Sequence, residues 1–142
     1  MRSLTNSHNR ARLFAVLVAF VAMIGLSGAI ASPAQAATPC VDSTGAKVCF
    51  NPDGEHLYIY DTDADGMAAT GFYNTGSGWI RAENNGSAGS VLHLNLDLPE
   101  SGRICFVATA TEHDVIIYQG ESSGWRSAAD GSYLGSCPTL TW

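Results

Sequence analysis

Leu92-His93-Leu94-Asn95-Leu96-Asp97-Leu98 is the stretch on which the fold turns. Its even positions are all leucine; its odd positions are His, Asn and Asp. Successive side chains of a β-strand point to opposite faces. A period of two therefore sets four leucines on a core and three polar groups in water.

Working outward, the same kind of signal recurs. Ile104-Cys105-Phe106-Val107 begins another strand, and His56 to Tyr60 and Ala68 to Tyr73 supply two more. Val115-Ile116-Ile117-Tyr118 is apolar on both faces, which predicts a central strand covered on each side. Turn residues separate these runs: Asn51-Pro52-Asp53-Gly54, Asp65-Gly66, Asn85-Gly86 and Asp130-Gly131. No helical period stands out after residue 36. Short strands at this spacing predict an all-β fold, a two-sheet antiparallel β-sandwich (immunoglobulin-like) of seven or eight strands.

One internal echo is visible. Tyr73-Asn74-Thr75-Gly76-Ser77-Gly78-Trp79 resembles Tyr118-Gln119-Gly120-Glu121-Ser122-Ser123-Gly124-Trp125. Each is followed by an Arg, an Ala and a Gly-Ser pair. The spacings predict one hairpin solution used twice, with loop tips at Gly76-Ser77-Gly78 and Ser122-Ser123-Gly124. Two copies fall short of a repeat architecture.

The first 36 residues read as an address. Arg2, Arg10 and Arg12 precede an apolar run from Leu13 to Ile30, and Ala34-Gln35-Ala36 is a small-x-small cleavage signal. That order predicts a secretory signal peptide over 1–36 and one domain over 37–142, secreted and extracellular. Gly25, Ser27 and Gly28 weaken the end of the run, and no basic stop-transfer cluster follows, which argues against a membrane span. Pro39 just before Cys40 does not suit a lipid anchor.

Removing 36 of the 142 residues leaves 106. All 13 acidic residues stay and three of the 7 basic ones leave, so the charge moves from −6 to −9. Such a surface repels nucleic acid and anionic membrane and excludes both as partners after cleavage. A monomer is the expectation.

All four cysteines, Cys40, Cys49, Cys105 and Cys137, follow the cleavage site. An even count in an exported chain reads as two disulfides. Of the three pairings, Cys40–Cys49 and Cys105–Cys137 is chosen, because each pair flanks a plausible β segment. No Cys-x-x-Cys pair supports a zinc site.

Among motifs that carry chemistry, Asp61-Thr62-Asp63-Ala64-Asp65-Gly66 matches the opening of a calcium loop. Alternate carboxylates can converge on one hard cation. The ninth and twelfth positions are Ala69 and Phe72, so half the ligand set is missing. The competing reading is an acidic turn whose carboxylates cap their own backbone. Calcium through Asp61, Asp63 and Asp65 is the one cofactor the sequence suggests. Gly120-Glu121-Ser122-Ser123-Gly124 matches a hydrolase nucleophile elbow, but no His follows His113 and the chain is too short for that fold. His56, His93 and His113 lack metal-ligand spacing and read as solvent-facing strand or turn residues. No nucleophile with a nearby base is found, so the chain reads as non-catalytic.

The aromatics are the better binding candidates. Trp79 and Trp125 each follow a glycine-rich tip and could offer a flat platform to a sugar or a protein. Tyr73, Tyr118, Tyr58 and Tyr60 could extend it. The alternative is that both tryptophans sit in the cores of their hairpins. Pro138 to Trp142 is expected to fray.

From Glu55 through Asp61-x-x-Ala64-Asp65-Gly66 to Ala69, with a later cysteine-flanked strand and a C-terminal Cys, the chain resembles small secreted proteins of actinomycetes (Streptomyces-like) whose function is uncharacterised. The resemblance implies export and a β-sandwich, and carries over no catalytic or binding residue. It also makes Asn85-Gly86-Ser87 a hairpin turn rather than a glycosylation site. The expected function is a secreted non-catalytic binding domain for a glycan or a protein. The alternative is a secreted inhibitor of an extracellular amylase or protease.

Overall fold

A computed structural model describes residues 38–142; the signal peptide expected over 1–36 lies outside them. The described chain is all-β and forms ten strands rather than seven or eight. They are β1 (Cys40–Ser43), β2 (Ala46–Asn51), β3 (His56–Asp61), β4 (Ala68–Asn74), β5 (Trp79–Asn84), β6 (Val91–Asn95), β7 (Arg103–Glu112), β8 (Val115–Ser122), β9 (Trp125–Ser127) and β10 (Tyr133–Gly135). The extra strands are short pieces at the margins, where period-two alternation has too few residues to register.

Two antiparallel sheets pack face to face, as expected. One runs β1-β2-β3-β6; the other runs β10-β9-β7-β4-β5, with β8 also paired to β7. The architecture is a two-layer antiparallel sandwich with a strand order of its own. The chain crosses between sheets after β3, β5 and β6. As a result β3 pairs with β6 while β4 pairs with β7, and the two layers interlock.

The core lies between the layers. Ala46, Val48, Phe50, Leu57 and Ile59 of the first sheet meet Ala69, Ile104, Phe106 and Ala108 of the second. Burying each large side chain contributes roughly 1.5–3 kcal/mol. Leu92, Leu94, Leu96 and Leu98 all pack against this cluster, while His93, Asn95 and Asp97 are exposed. The alternation thus outlives the ladder, which stops at Asn95. There the Asn95 side chain accepts the Asp97 amide at 3.3 Å and turns the chain.

Val115–Tyr118 is not a central strand. It lies in β8, which pairs only with β7, and Val115 and Ile117 are 59% and 44% exposed. The doubly covered strand is β7, buried from Ile104 to Thr111. An apolar run shows that two faces tolerate burial; it does not show which strand obtains neighbours on both.

The C-terminal segment lies over the Cys105–Val107 end of the outer face of β7. The Cys105–Cys137 bond pins it to the sheet, the Trp79 indole donates to the Thr139 carbonyl at 3.1 Å, and Trp142 meets buried Phe72 edge-on at 4.8 Å. Pro138 to Trp142 is therefore a strap rather than a frayed end. Cys40–Cys49, the other expected disulfide, joins directly opposed residues of β1 and β2.

The echo does not repeat a hairpin. Gly76-Ser77-Gly78 is the tip of the β4–β5 hairpin. Ser122-Ser123-Gly124 instead links β8 to β9, and both strands lie along β7. Ser123 bridges this break, its hydroxyl accepting the Phe106 amide and its amide donating to the Phe106 carbonyl, both at 2.9 Å. The hydrolase-like serine motif is thus a splice in an edge strand.

Candidate functional site

Strand β3 reads His-Leu-Tyr-Ile-Tyr-Asp, and its alternation sorts the residues by face. Leu57 and Ile59 are fully buried, so His56, Tyr58 and Tyr60 stand on the outer face of the four-stranded sheet. In β6, Leu92 and Leu94 turn inward and leave His93 outside, directly opposite Tyr58.

The result is an aromatic strip that local sequence could not assemble. Tyr58 and His93 are nearly parallel, 10° apart, with centroids 4.8 Å apart, an offset stack. Tyr60 continues the array at 6.3 Å from Tyr58. His56 meets His93 edge-on at 4.6 Å and Tyr58 at 6.2 Å. His56 Nδ1 is buried and has no hydrogen-bond partner. Beside the strip, Lys47 pairs with Asp42 at 3.8 Å, and Val91 is 49% exposed. Aromatic pairs across strands also stabilise the sheet. Exposed His93 and half-buried Tyr58 and Tyr60 still leave part of the array in contact with solvent.

The four aromatics expected to bind are not brought together. Trp79, at the start of β5, holds the strap by its indole N–H. Trp125, at the start of β9, lies under the Arg103 guanidinium at 4.3 Å. Tyr73 packs against the core from the inner face of β4, and Tyr118 is exposed on β8. His113 is exposed in the β7–β8 turn, as its sequence context implied.

The acidic turn follows β3. Asp61 is buried, whereas Asp63 and Asp65 are exposed. Asp61 accepts the Asp63 amide at 3.2 Å and Asp65 accepts the Met67 amide at 2.9 Å, so both carboxylates cap local backbone. Among the described residues no three His, Cys, Asp or Glu side chains converge as a metal-holding group. A cleft of about 360 Å³ separates this turn from Asn85-Gly86-Ser87.

Tyr58 and Tyr60 were legible as supporting aromatics; His56 and His93 were missed as members of the same surface. The available signal was the shared parity of positions 56, 58 and 60, but their apposition to 93 depends on the β3–β6 register. Among the described residues no helix is long and apolar enough to cross a membrane. Comparison with known proteins finds no matching family model, no matching curated protein and no matching solved structure.

Proposed function

We propose that this chain is an exported, non-catalytic glycan-binding domain whose binding face is the strip His56, Tyr58, Tyr60 and His93. The observation that carries the reading is the four-ring array on the outer face of the four-stranded sheet. Tyrosine joins an apolar ring to a polar tip, which suits the mixed C–H and hydroxyl surface of a sugar. The strip rides on rigid strands, so little order is lost on binding. Two disulfides fit an oxidising, extracellular setting.

Retention of the 37–142 chain on insoluble polysaccharides tests the proposal. Tyr58→Ala and His93→Ala are expected to abolish retention, while Trp125→Ala leaves it intact. Retention that survives both strip substitutions overturns the assignment.

A second reading is the secreted inhibitor. The exposed Val115, Ile117 and Tyr118 on β8 favour it, since an apolar surface at a sheet edge suits a protein partner. It expects near-stoichiometric loss of activity in a secreted amylase or protease, relieved by Ile117→Asp.

A further inference from the structure

We infer that Asn85 is a site of spontaneous deamidation, and that the buried Asn84 side chain sets its rate by holding the nucleophile. The inference stands apart from the aromatic strip and from what the strip binds.

Asn85-Gly86 is the one Asn-Gly pair in the 142 residues. A glycine after an asparagine leaves its backbone nitrogen unshielded by a side chain, so that nitrogen can reach the neighbouring amide. The Gly86 nitrogen gives its proton to solvent and bonds to Asn85 Cγ. The Cγ–Nδ2 bond breaks, and the departing nitrogen takes a proton from solvent and leaves as ammonia. Water then opens the succinimide at either carbonyl, giving aspartate or isoaspartate at position 85.

Packing demands this reactive pair. Gly86 lies in the loop from β5 to β6, where a Cβ would run into the Ser90 hydroxyl. A larger residue that would slow the reaction is thereby kept out. Asn85 is exposed, so its amide is free to turn toward the backbone.

The restraint falls on Gly86 instead. Its N–H donates to Asn84 Oδ1 at 3.0 Å. Asn84 is buried and held at both ends of its amide. Its Nδ2 donates to the Ile59 carbonyl at 3.0 Å, and its Oδ1 also accepts the Ser90 hydroxyl at 3.1 Å. A nitrogen whose proton is engaged in this way is neither deprotonated nor free to swing onto Cγ. Asp61 and Asp63 line the cleft beside Asn85 and Gly86, and Glu83 lines a neighbouring one with Asn85. These carboxylates disfavour the anionic nitrogen that the attack needs. The reaction therefore proceeds through openings of the 84–90 loop, whose frequency the Asn84 contact controls. Isoaspartate lengthens the main chain between Asn84 and Gly86 and breaks that contact, so each converted molecule carries a looser loop.

The test incubates the purified chain at mildly alkaline pH, in buffer and in urea, and follows position 85 by peptide mapping with isoaspartate detection. Conversion in buffer is expected to be at least about tenfold slower than in urea. Asn84→Ala, shown folded by its melting curve, is expected to convert about fivefold faster than the parent in buffer, the population shift that one lost hydrogen bond allows. Amide exchange on the parent needs no substitution: relative to its unstructured rate, Gly86 is expected to exchange more slowly than exposed Ala88. No conversion even in urea, or equal rates in buffer and urea, overturns the inference. So does a folded Asn84→Ala that converts no faster than the parent, or a Gly86 amide as labile as that of Ala88. None of these outcomes bears on the glycan-binding reading.

Discussion

The indole N–H of Trp79 donates to the backbone carbonyl of Thr139 at 3.1 Å, across sixty positions of sequence. This bond fastens a C-terminal strap over the outer face of the six-stranded sheet. Trp79→Phe keeps an aromatic ring, though a smaller one, and removes the donor. The expected result is a loss of about 1 kcal/mol in urea unfolding, with faster amide exchange at 139–142 than in the parent. Unchanged exchange there would remove Trp79 as the anchor and leave Cys137 as the main tie.

Gly120 of β8 and Gly71 of β4 are both tight, but for different reasons. A Cβ at Gly120 would run into the Asp42 backbone carbonyl of β1. A Cβ at Gly71 would meet the far end of the Ile59 side chain at 2.7 Å. Backbone cannot step aside, whereas the Ile59 side chain, met at both Cδ1 and Cγ1, can yield by repacking within the core. Gly120→Ala is expected to cost about 1–3 kcal/mol and Gly71→Ala less, measured as unfolding midpoints at equal slope. The reverse order would show that the β1–β8 margin is the softer of the two.

Asp130 closes the β9–β10 turn. The Ser132 amide, then the Ser132 and Ser127 hydroxyls, hold its carboxyl below the usual carboxylate range. A lowered folded-state value means the turn gains stability above the ordinary carboxylate pKa, and loses it as pH falls through the lowered value. NMR titration of the Asp130 carboxyl should give a midpoint below that of a free aspartate. Ser132→Ala keeps the amide contact and should raise it only part of the way.

Asp61 and Asp63 separate a structural role from a metal role. Asp61 is buried and caps the turn, and Asp63 is exposed. Asp61→Ala is expected to destabilise by about 1 kcal/mol through the lost cap, and Asp63→Ala by less than half of that. Melting with millimolar calcium and with chelator is expected to give the same midpoint. A calcium-dependent rise lost in both variants would establish a cation site at the turn.

The strip shows how sequence and structure divided the work. Parity along His56-Leu57-Tyr58-Ile59-Tyr60 was legible, because a strand's alternation is local and each buried leucine or isoleucine fixes its neighbours outward. His93 was legible as an outward residue of the leucine ladder for the same reason. Their meeting was not legible: β3 and β6 are separated by a hairpin of the other sheet, and no local pattern records that pairing. The tryptophans failed in the opposite sense. Their position after glycine-rich tips was read correctly, but the Thr139 carbonyl and the Arg103 guanidinium that occupy them lie far away in sequence.

The amino-acid sequence by itself determined the β class, the number of cross-links, the inward leucines and the local acidic turn. Each follows from residue periodicity, cysteine count or short-range hydrogen bonding. Tertiary structure alone decided that β7 rather than β8 is central, that the C-terminus is a strap, and which rings share a face. These depend on which strands become neighbours across the sandwich, and that choice is made by the whole core at once.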